Sequence, residues 1–320
     1  MQPIFKKIIF STSLAFSSLS FAQWPEKAIK LVVPYPPGGS VDIIARQYAD
    51  YLKDYLQQNV YIENRPGAGT NIGVQSVIQS KADGYTLLLG TDALASNPSI
   101  GPIPPFNAIH DLAPISNVAN IPSLIAASNA FAHQTTSEGF FEKARSNLGH
   151  VSIGSASLTL QIATIEKGTQ TSFNHITYKG GAPATADAVG NQTNAVLASI
   201  PVLHPFVTTN KLTPIATTGT QRSPSLPDVP TLRELGYTDT VVTSWYAVFA
   251  PKGTPETVIA KVNQATQAFV QDPQIQPKLQ AVGYELQAST PQALGQLLAN
   301  NTEKHRRFAK ENTHYFAQLK

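Results

Sequence analysis

Short apolar runs alternate with amphipathic stretches along the chain, and that alternation predicts most of its elements. Ala28 to Val33 (AIKLVV) reads as a strand, and Pro34 to Ser40 (PYPPGGS) as a turn-forming stretch. Val41 to Leu56 then places Ile44, Tyr48, Leu52 and Tyr55 on one face of a helix, with Ser40 as its cap and Asp42 in its first turn. The pattern repeats: a strand at Asn59–Glu63, a Gly/Pro loop at Asn64–Thr70, a helix at Asn71–Ser80 and a buried strand at Gly84–Gly90. Strands alternating with helices predict a parallel α/β sheet, in which ligands lie beyond the carboxyl ends of the strands. The loops at 34–40, 64–70 and 90–97 occupy those ends.

Pro98 to Pro114 is looser and rich in proline, Pro114 to Ala127 is strand-like, and a helix is expected near Thr136 to Leu148. Val151–Ile153 leads into Gly154-Ser155-Ala156-Ser157, Asn174–Tyr178 into Lys179-Gly180-Gly181-Ala182-Pro183, and Thr193–Ala198 into Ser199-Ile200-Pro201. A second βα run therefore reaches about residue 220. Ser223 to Pro230 reads as a crossing, Val241 to Pro251 as a strand, and the chain from Pro255 onward as mostly helical.

The length of 320 residues suits two domains of roughly 100–150 residues each. Apolar residues at 42% and charged residues at 13% exclude a disordered chain and a coiled coil. The sequence has no Cys, which removes disulfides, thiolate metal sites, iron–sulfur clusters, Cys nucleophiles and a lipidated N-terminal Cys. Lys6 and Lys7, the apolar run Ile8–Leu19 and the small residues of Ser20-Phe21-Ala22 have the layout of a secretory signal over residues 1–22, cleaved after Ala22. The apolar run falls short of the ~20 residues that span a bilayer. The mature chain is expected to start at Gln23 in an extracytoplasmic space, and export without Cys fits a bacterial periplasm. Without residues 1–22, 21 basic residues face 20 acidic ones, with no Lys/Arg run longer than two, so no nucleic-acid partner is expected.

Catalytic chemistry is thinly represented. The seven His (110, 133, 150, 175, 204, 305 and 314) include no H-x-x-x-H or H-E-x-x-H spacing, so neither a metal nor another cofactor is expected. There is no G-x-S-x-G elbow and no Gly-Lys-Ser/Thr, and Gly67 to Gly73 is one residue too long for the dinucleotide fingerprint. The Gly loops do place backbone N–H groups at helix N-termini, which bind anions without a counter-charge. Asp42 and Arg46, four residues apart, read as a helix surface pair.

Taken together, several motifs resemble the Bug family of extracytoplasmic solute receptors, the binding components of tripartite tricarboxylate transporters. They begin with Trp24-Pro25, then Val32 to Gly39 (VVPYPPGG) with Asp42 and Ala45-Arg46 behind it. Glu63 to Gly69 (ENRPGAG), Asp83 to Leu87 (DGYTL) and Tyr178 to Pro183 (YKGGAP) with Asp187 follow in order. Leu226 to Thr231 (LPDVPT), Trp245-Tyr246 and Pro251 to Pro255 (PKGTP) complete the set, which spans nearly all of the mature chain. The resemblance implies a two-domain periplasmic binding protein type II fold: two βα sandwiches, each with a mostly parallel central sheet, joined by two crossover strands. Residues 23–120 plus 240–320 form domain 1 and residues 121–239 domain 2 on this reading. It implies a monomer that is not an enzyme and that traps a small organic carboxylate by hinge closure. The carboxylate, a di- or tricarboxylic acid, an acidic amino acid or an aromatic acid, passes to the membrane subunits of a secondary transporter.

Carried over by position, Tyr35, Pro37, Gly38, Gly39 and Ser40 form the first-domain cradle. Gly69, Thr70, Asn71 and the stretch from Thr91 to Asn97 add contacts, and Ser155, Ser157, Lys179, Gly180 and Ser199 close from the second domain. Two departures from the family pattern stand out. The loop at 154–161 is about two residues shorter than usual and carries Gln161 where His is usual, and Ala198-Ser199 replaces an acidic-polar pair. Loss of that acid disfavours a ligand ammonium group and points to a plain carboxylic acid. A sensor for a signalling partner and a secreted hydrolase on the same fold remain as alternatives.

Overall fold

Ile44, Tyr48, Leu52 and Leu56 recur every four residues, and this stripe decides how the first long helix packs. The computed structural model describes residues 24–101, 103–132, 135–156 and 158–316. The expected signal at 1–22 and the candidate ligand contact Ser157 lie outside the described residues. Strand β1 (Ile29–Val33) leads into α1 (Ser40–Leu56), then β2 (Val60–Asn64), α2 (Asn71–Ile78), β3 (Thr86–Thr91), α3 (Ala93–Ile100) and α4 (Ala108–Asp111). All four stripe residues are buried. Tyr55, expected among them, is 44% exposed. It sits at the edge of the buried arc in the last turn, where its ring stacks on Tyr51 with centroids 6.0 Å apart.

The 17-residue strand β4 (Leu112–Ser128) carries the chain into the second lobe. There follow α5 (Asn129–Ala132), α6 (Ser137–Ser146), β5 (Ser152–Ser155), α7 (Thr159–Thr169), β6 (Asn174–Thr177), α8 (Gly181–Val189), β7 (Ala195–Ser199), α9 (Ile200–Thr208) and β8 (Leu212–Thr217). Strand β9 (Thr243–Pro251) returns to the first lobe, which α10 (Glu256–Gln271), α11 (Gln276–Gln280), β10 (Glu285–Leu286) and α12 (Pro291–Glu311) complete. The strand order is β2-β1-β3-β9-β4-β7-β5-β6, with β8 and β10 also paired to β4. Strands β1, β2 and β3 pair in parallel, as do β5, β6 and β7, while β4 and β9 run antiparallel to their neighbours. The fold is the expected two-lobed α/β architecture with two crossing strands.

One expectation changes. The stretch 90–97 is not all loop, because α3 begins at Ala93. The chain from Pro255 is mostly helical, as expected, with one short addition: Glu285 and Leu286 pair with Asn120 and Ala119 on β4.

Each lobe buries apolar clusters against its strands and helices. In the first lobe, Leu31, Ile44, Leu87 and Phe269 belong to one cluster and Val32, Leu88, Phe249 and Leu294 to another. In the second, Ile125, Phe140, Ile153 and Leu197 oppose Leu124, Val196, Ala198 and Leu203. Alternation along β4 and β7 sends successive side chains to opposite clusters, as a sheet covered on both faces requires. A small fifth cluster joins the lobes: Leu160 and Ala163 of α7 meet Phe316, Ile100 and Phe308.

Candidate functional site

Helix α1 starts at the carboxyl end of β1, where the parallel half of the first lobe ends. Gly39 is its N-cap and supplies no side chain, so the first-turn N–H groups of Ser40, Val41 and Asp42 have no partner within the helix. Gly38 has φ +86°, a left-handed conformation that glycine adopts without penalty, and this turns its own N–H inward. That N–H donates to Asp42 Oδ2 at 3.0 Å. The Asp42 carboxylate also accepts from Arg46 Nε and Nη2 at 2.9 and 3.0 Å and from Asn64 Nδ2 at 2.9 Å. The same amide donates to the Tyr35 carbonyl at 3.1 Å. Burial pushes the Asp42 carboxyl up, but the bonds from Arg46, Gly38 and Asn64 outweigh it and hold the group below the usual carboxylate range. The Asp42/Arg46 pair is therefore no mere surface pair: its acid is buried and fixes the loop.

A cavity of about 120 Å³ lies between the lobes. Tyr35, Pro37, Gly39, Ser40 and Thr91 line it from the first lobe, and Lys179, Gly180 and Ser199 from the second. The Tyr35 hydroxyl bonds Thr91 Oγ1 at 2.8 Å, and Ser199 Oγ donates across the cleft to Ser40 Oγ at 2.9 Å. Ser40 Oγ also bonds the Tyr246 hydroxyl at 2.7 Å, and the Ser40 carbonyl accepts from Tyr284 at 2.7 Å. Burial raises the Tyr35 and Tyr246 hydroxyls far above their ordinary pKa, so both stay neutral.

Other expected contacts lie elsewhere. Gly38 does not line the cavity, since its N–H serves Asp42. Gly69, Thr70, Asn71 and Asn97 do not line the cavity; Asn97 Nδ2 on α3 donates to the Gly69 carbonyl and to Thr70 Oγ1 of the second loop. Ser155 is fully buried beneath the cavity, its hydroxyl 2.7 Å from His175 Nε2, and its neighbour Ala156 faces the space instead. The pairing of β5 with β6 places Ser155 and His175 on adjacent strands, an arrangement that spacing along the chain does not reveal.

Ser123, Ser244 and Tyr246, none of them expected, also line the cavity, and so does Asp92 from the expected stretch 91–97. Ser123 and Ser244 stand on the crossing strands, and Gln161 from α7 ties them together. Its Oε1 accepts from Ser123 Oγ at 3.1 Å and its Nε2 donates to Ser244 Oγ at 2.9 Å. The residue in the place of a usual His is thus a buried brace on the hinge. Gln161→Ala is expected to lower stability by about 2 kcal/mol, the loss of two buried hydrogen bonds. Urea unfolding measures it, and a change below about 0.5 kcal/mol would mean that the two hydroxyls find other partners.

Asp92 ends β3 and begins α3. Burial lifts its carboxyl to about 6, against the opposing pull of the Ser244 hydroxyl, its own N–H and the Gln161 amide. Asp92 and Leu158 also line a second, larger cavity of about 470 Å³ between α3, α7 and α12, and so stand between the two spaces. No cluster of three or more His, Asp or Glu suited to a metal occurs among the described residues.

Residues 44–313 match the family model described as "Tripartite tricarboxylate transporter family receptor". The chain belongs to this receptor family. The receptor is 31% identical to the protein BugT of Bordetella pertussis over 303 residues, 93% of each chain. Among solved structures, the periplasmic binding protein BugD superposes with a TM-score of 0.84 at 29% identity, covering 90% of this chain and 98% of that one. An R. palustris protein solved with adipate gives 0.85 at 27% identity, covering 90% and 97%. The matched residues run from within α1 through α12, starting just after the cradle at Tyr35 to Ser40.

Proposed function

We propose that the receptor captures a small organic carboxylate in the cavity between its lobes and hands it to the membrane subunits of a tripartite tricarboxylate-type transporter. The observation that carries this reading is the pairing of two anion-favouring groups across one enclosed space. The N-terminus of α1 points its unpartnered N–H groups there, and Lys179, which has no ion-pair partner among the described residues, faces it from the other lobe. The adipate found in the R. palustris relative supports the choice of carboxylate. On this reading the protein is a periplasmic monomer, and among the described residues no helix is long and apolar enough to cross a membrane.

The proposed lobes are residues 23–120 with 240–320, and residues 121–239. Support comes from β4, which pairs with β9 up to Pro122 and with β7 and β8 from Ser123 and Leu124 onward. A receptor rather than a hydrolase is favoured because Ser155 and His175, a Ser–His contact among the described residues, do not line the cavity, and Ser155 is fully buried.

The test is a thermal-shift panel on protein that has been unfolded and refolded to strip carried-over ligand. It holds di- and tricarboxylates, amino acids, aromatic acids and neutral controls. A true ligand at 100 times its Kd should add about 2.7 kcal/mol, or several degrees. No shift with any carboxylate would overturn the reading.

A further inference from the structure

Helix α12 packs in two different surroundings. Leu294 and Leu298 of its first half join Leu88, Trp245 and Phe249 in a core cluster of the first lobe. Phe308 and Ala309 of its second half pack instead against Leu160 and Ala163 of α7, in the second lobe. With 21 residues the helix is about 31 Å long, enough to reach from one lobe to the other. Its end is then folded back. Asn312 caps it and is itself buried, its amide donating to the Phe308 carbonyl at 2.8 Å. The turn Thr313–Tyr315 delivers Phe316 onto the same contact. Phe316 is 3% exposed and meets the Phe308 ring edge-on, with centroids 6.3 Å apart. Lys167 of α7 holds its ammonium over the Phe308 ring, 5.4 Å from the centroid. Beside the covalent crossings β4 and β9, α12 is thus a non-covalent strap between the lobes.

This contact has the character of a seam rather than of a core. The cavity of about 470 Å³ runs beside it, and Ile100, Leu160 and Phe308 belong to both. Protein cores hold few voids larger than a water molecule. The walls of that cavity also carry Lys167, Lys304, Arg307, Asp239 and Glu311, side chains that hydrate readily when two faces part. At the same time the lobes touch at the cleft, where Ser199 Oγ donates to Ser40 Oγ at 2.9 Å. The strap is therefore made in an arrangement in which the cleft is shut. None of Ile100, Leu160, Ala163, Phe308 and Phe316 lines the cavity between the lobes, so the strap forms without any help from a ligand.

We propose that the second half of α12, with Phe316, is a latch that holds the lobes in the closed arrangement before any ligand enters, so that affinity is set in part by a contact outside the binding cavity. A rotation that opens the cleft separates α7 from α12, and the apolar area of Phe316 and Leu160 then returns to water. A ligand that binds the closed form gains affinity in proportion to the closed fraction already present. The inference does not depend on which ligand fills the cleft, so its failure leaves the carboxylate reading intact.

The chain has no Cys, so two introduced ones carry spin labels uniquely. Gln47 of α1 and Ala186 of α8 are exposed, and both helices start at the cavity from opposite lobes. Electron–electron distance measurements between labels at Gln47→Cys and Ala186→Cys, on refolded protein without added ligand, resolve closed and open populations. A closed population is expected, and Phe316→Ala should lower the closed-to-open ratio roughly tenfold, the order of effect of returning a buried Phe side chain to water. Should that variant fail to fold, Lys167→Ala removes only an exposed cation from the Phe308 ring and should lower the ratio about twofold. A protein with no closed population, or a ratio that stays the same or rises in the folded variant, overturns the proposal. An unchanged ratio would place the contact on the pivot of the motion.

Discussion

Asp42→Ala is expected to destabilise the receptor by about 3 kcal/mol and to weaken carboxylate binding about 100-fold. Four donors converge on this one buried carboxylate, from Gly38, Asn64 and two nitrogens of Arg46. Hydrogen bonds to a charged group contribute about 1.5–3 kcal/mol each. The whole sum is not lost, because Arg46 is half exposed and regains water and Asn64 keeps its bond to Tyr35. The Gly38 N–H is left without its partner, and with it goes the lock on the loop that feeds α1. Urea unfolding and titration calorimetry measure the two effects. A variant that binds as wild type does would show that the carboxylate does not hold the loop.

The same residue sets a pH dependence. Its folded pKa is depressed, so its contribution is complete above the unfolded value of about 3.9 and is lost as pH falls through the folded value. The stability gap between wild type and Asp42→Ala should therefore shrink below about pH 4.

Phe269→Ala is expected to cost about 4 kcal/mol, the range for removing a buried aromatic ring from a packed core. Phe269 of α10 is fully buried and meets Tyr48 and Tyr51 of α1 edge-on, with centroids 5.2 and 5.5 Å away. The Tyr48 hydroxyl is anchored separately, 2.6 Å from Thr266 Oγ1, so its ring cannot swing freely into the space. A fall in Tm of about 10 °C should follow. A loss below about 2 kcal/mol would mean that the helices collapse onto one another.

Legibility in the sequence followed the strength of local pattern. The strand, loop and helix at 29–56 were plain because apolar positions recur at spacings of four, Pro34 follows the strand and the Gly-Gly pair precedes the helix. Helix α3 was not, since ALASNPSI has no apolar stripe and carries Pro98. Strand β8 hides in LTPIAT, where Pro214 argues against a strand that β4 nonetheless pairs. The cradle at Tyr35 to Ser40 was readable because backbone geometry makes it. Ser155 misled because its partner His175 stands on the next strand, and only pairing brings them together. Asp92 carried a usable signal: a lone acid directly after the buried run TLLLGT, at the carboxyl end of a strand where ligands gather.

The two crossings between lobes are not lengths of coil. Strands β4 and β9 stay paired from Leu112 and Pro251 as far as Pro122 and Thr243, where the second lobe begins. A paired ribbon has torsional stiffness that separate coils lack. A closing motion that twisted the lobes would have to wind this ribbon, which would then resist closure and favour opening. Substitutions near its irregular registers, between Pro114 and Ser116 and between Asn117 and Ala119, are expected to change that resistance, and through it the affinity, without touching the ligand.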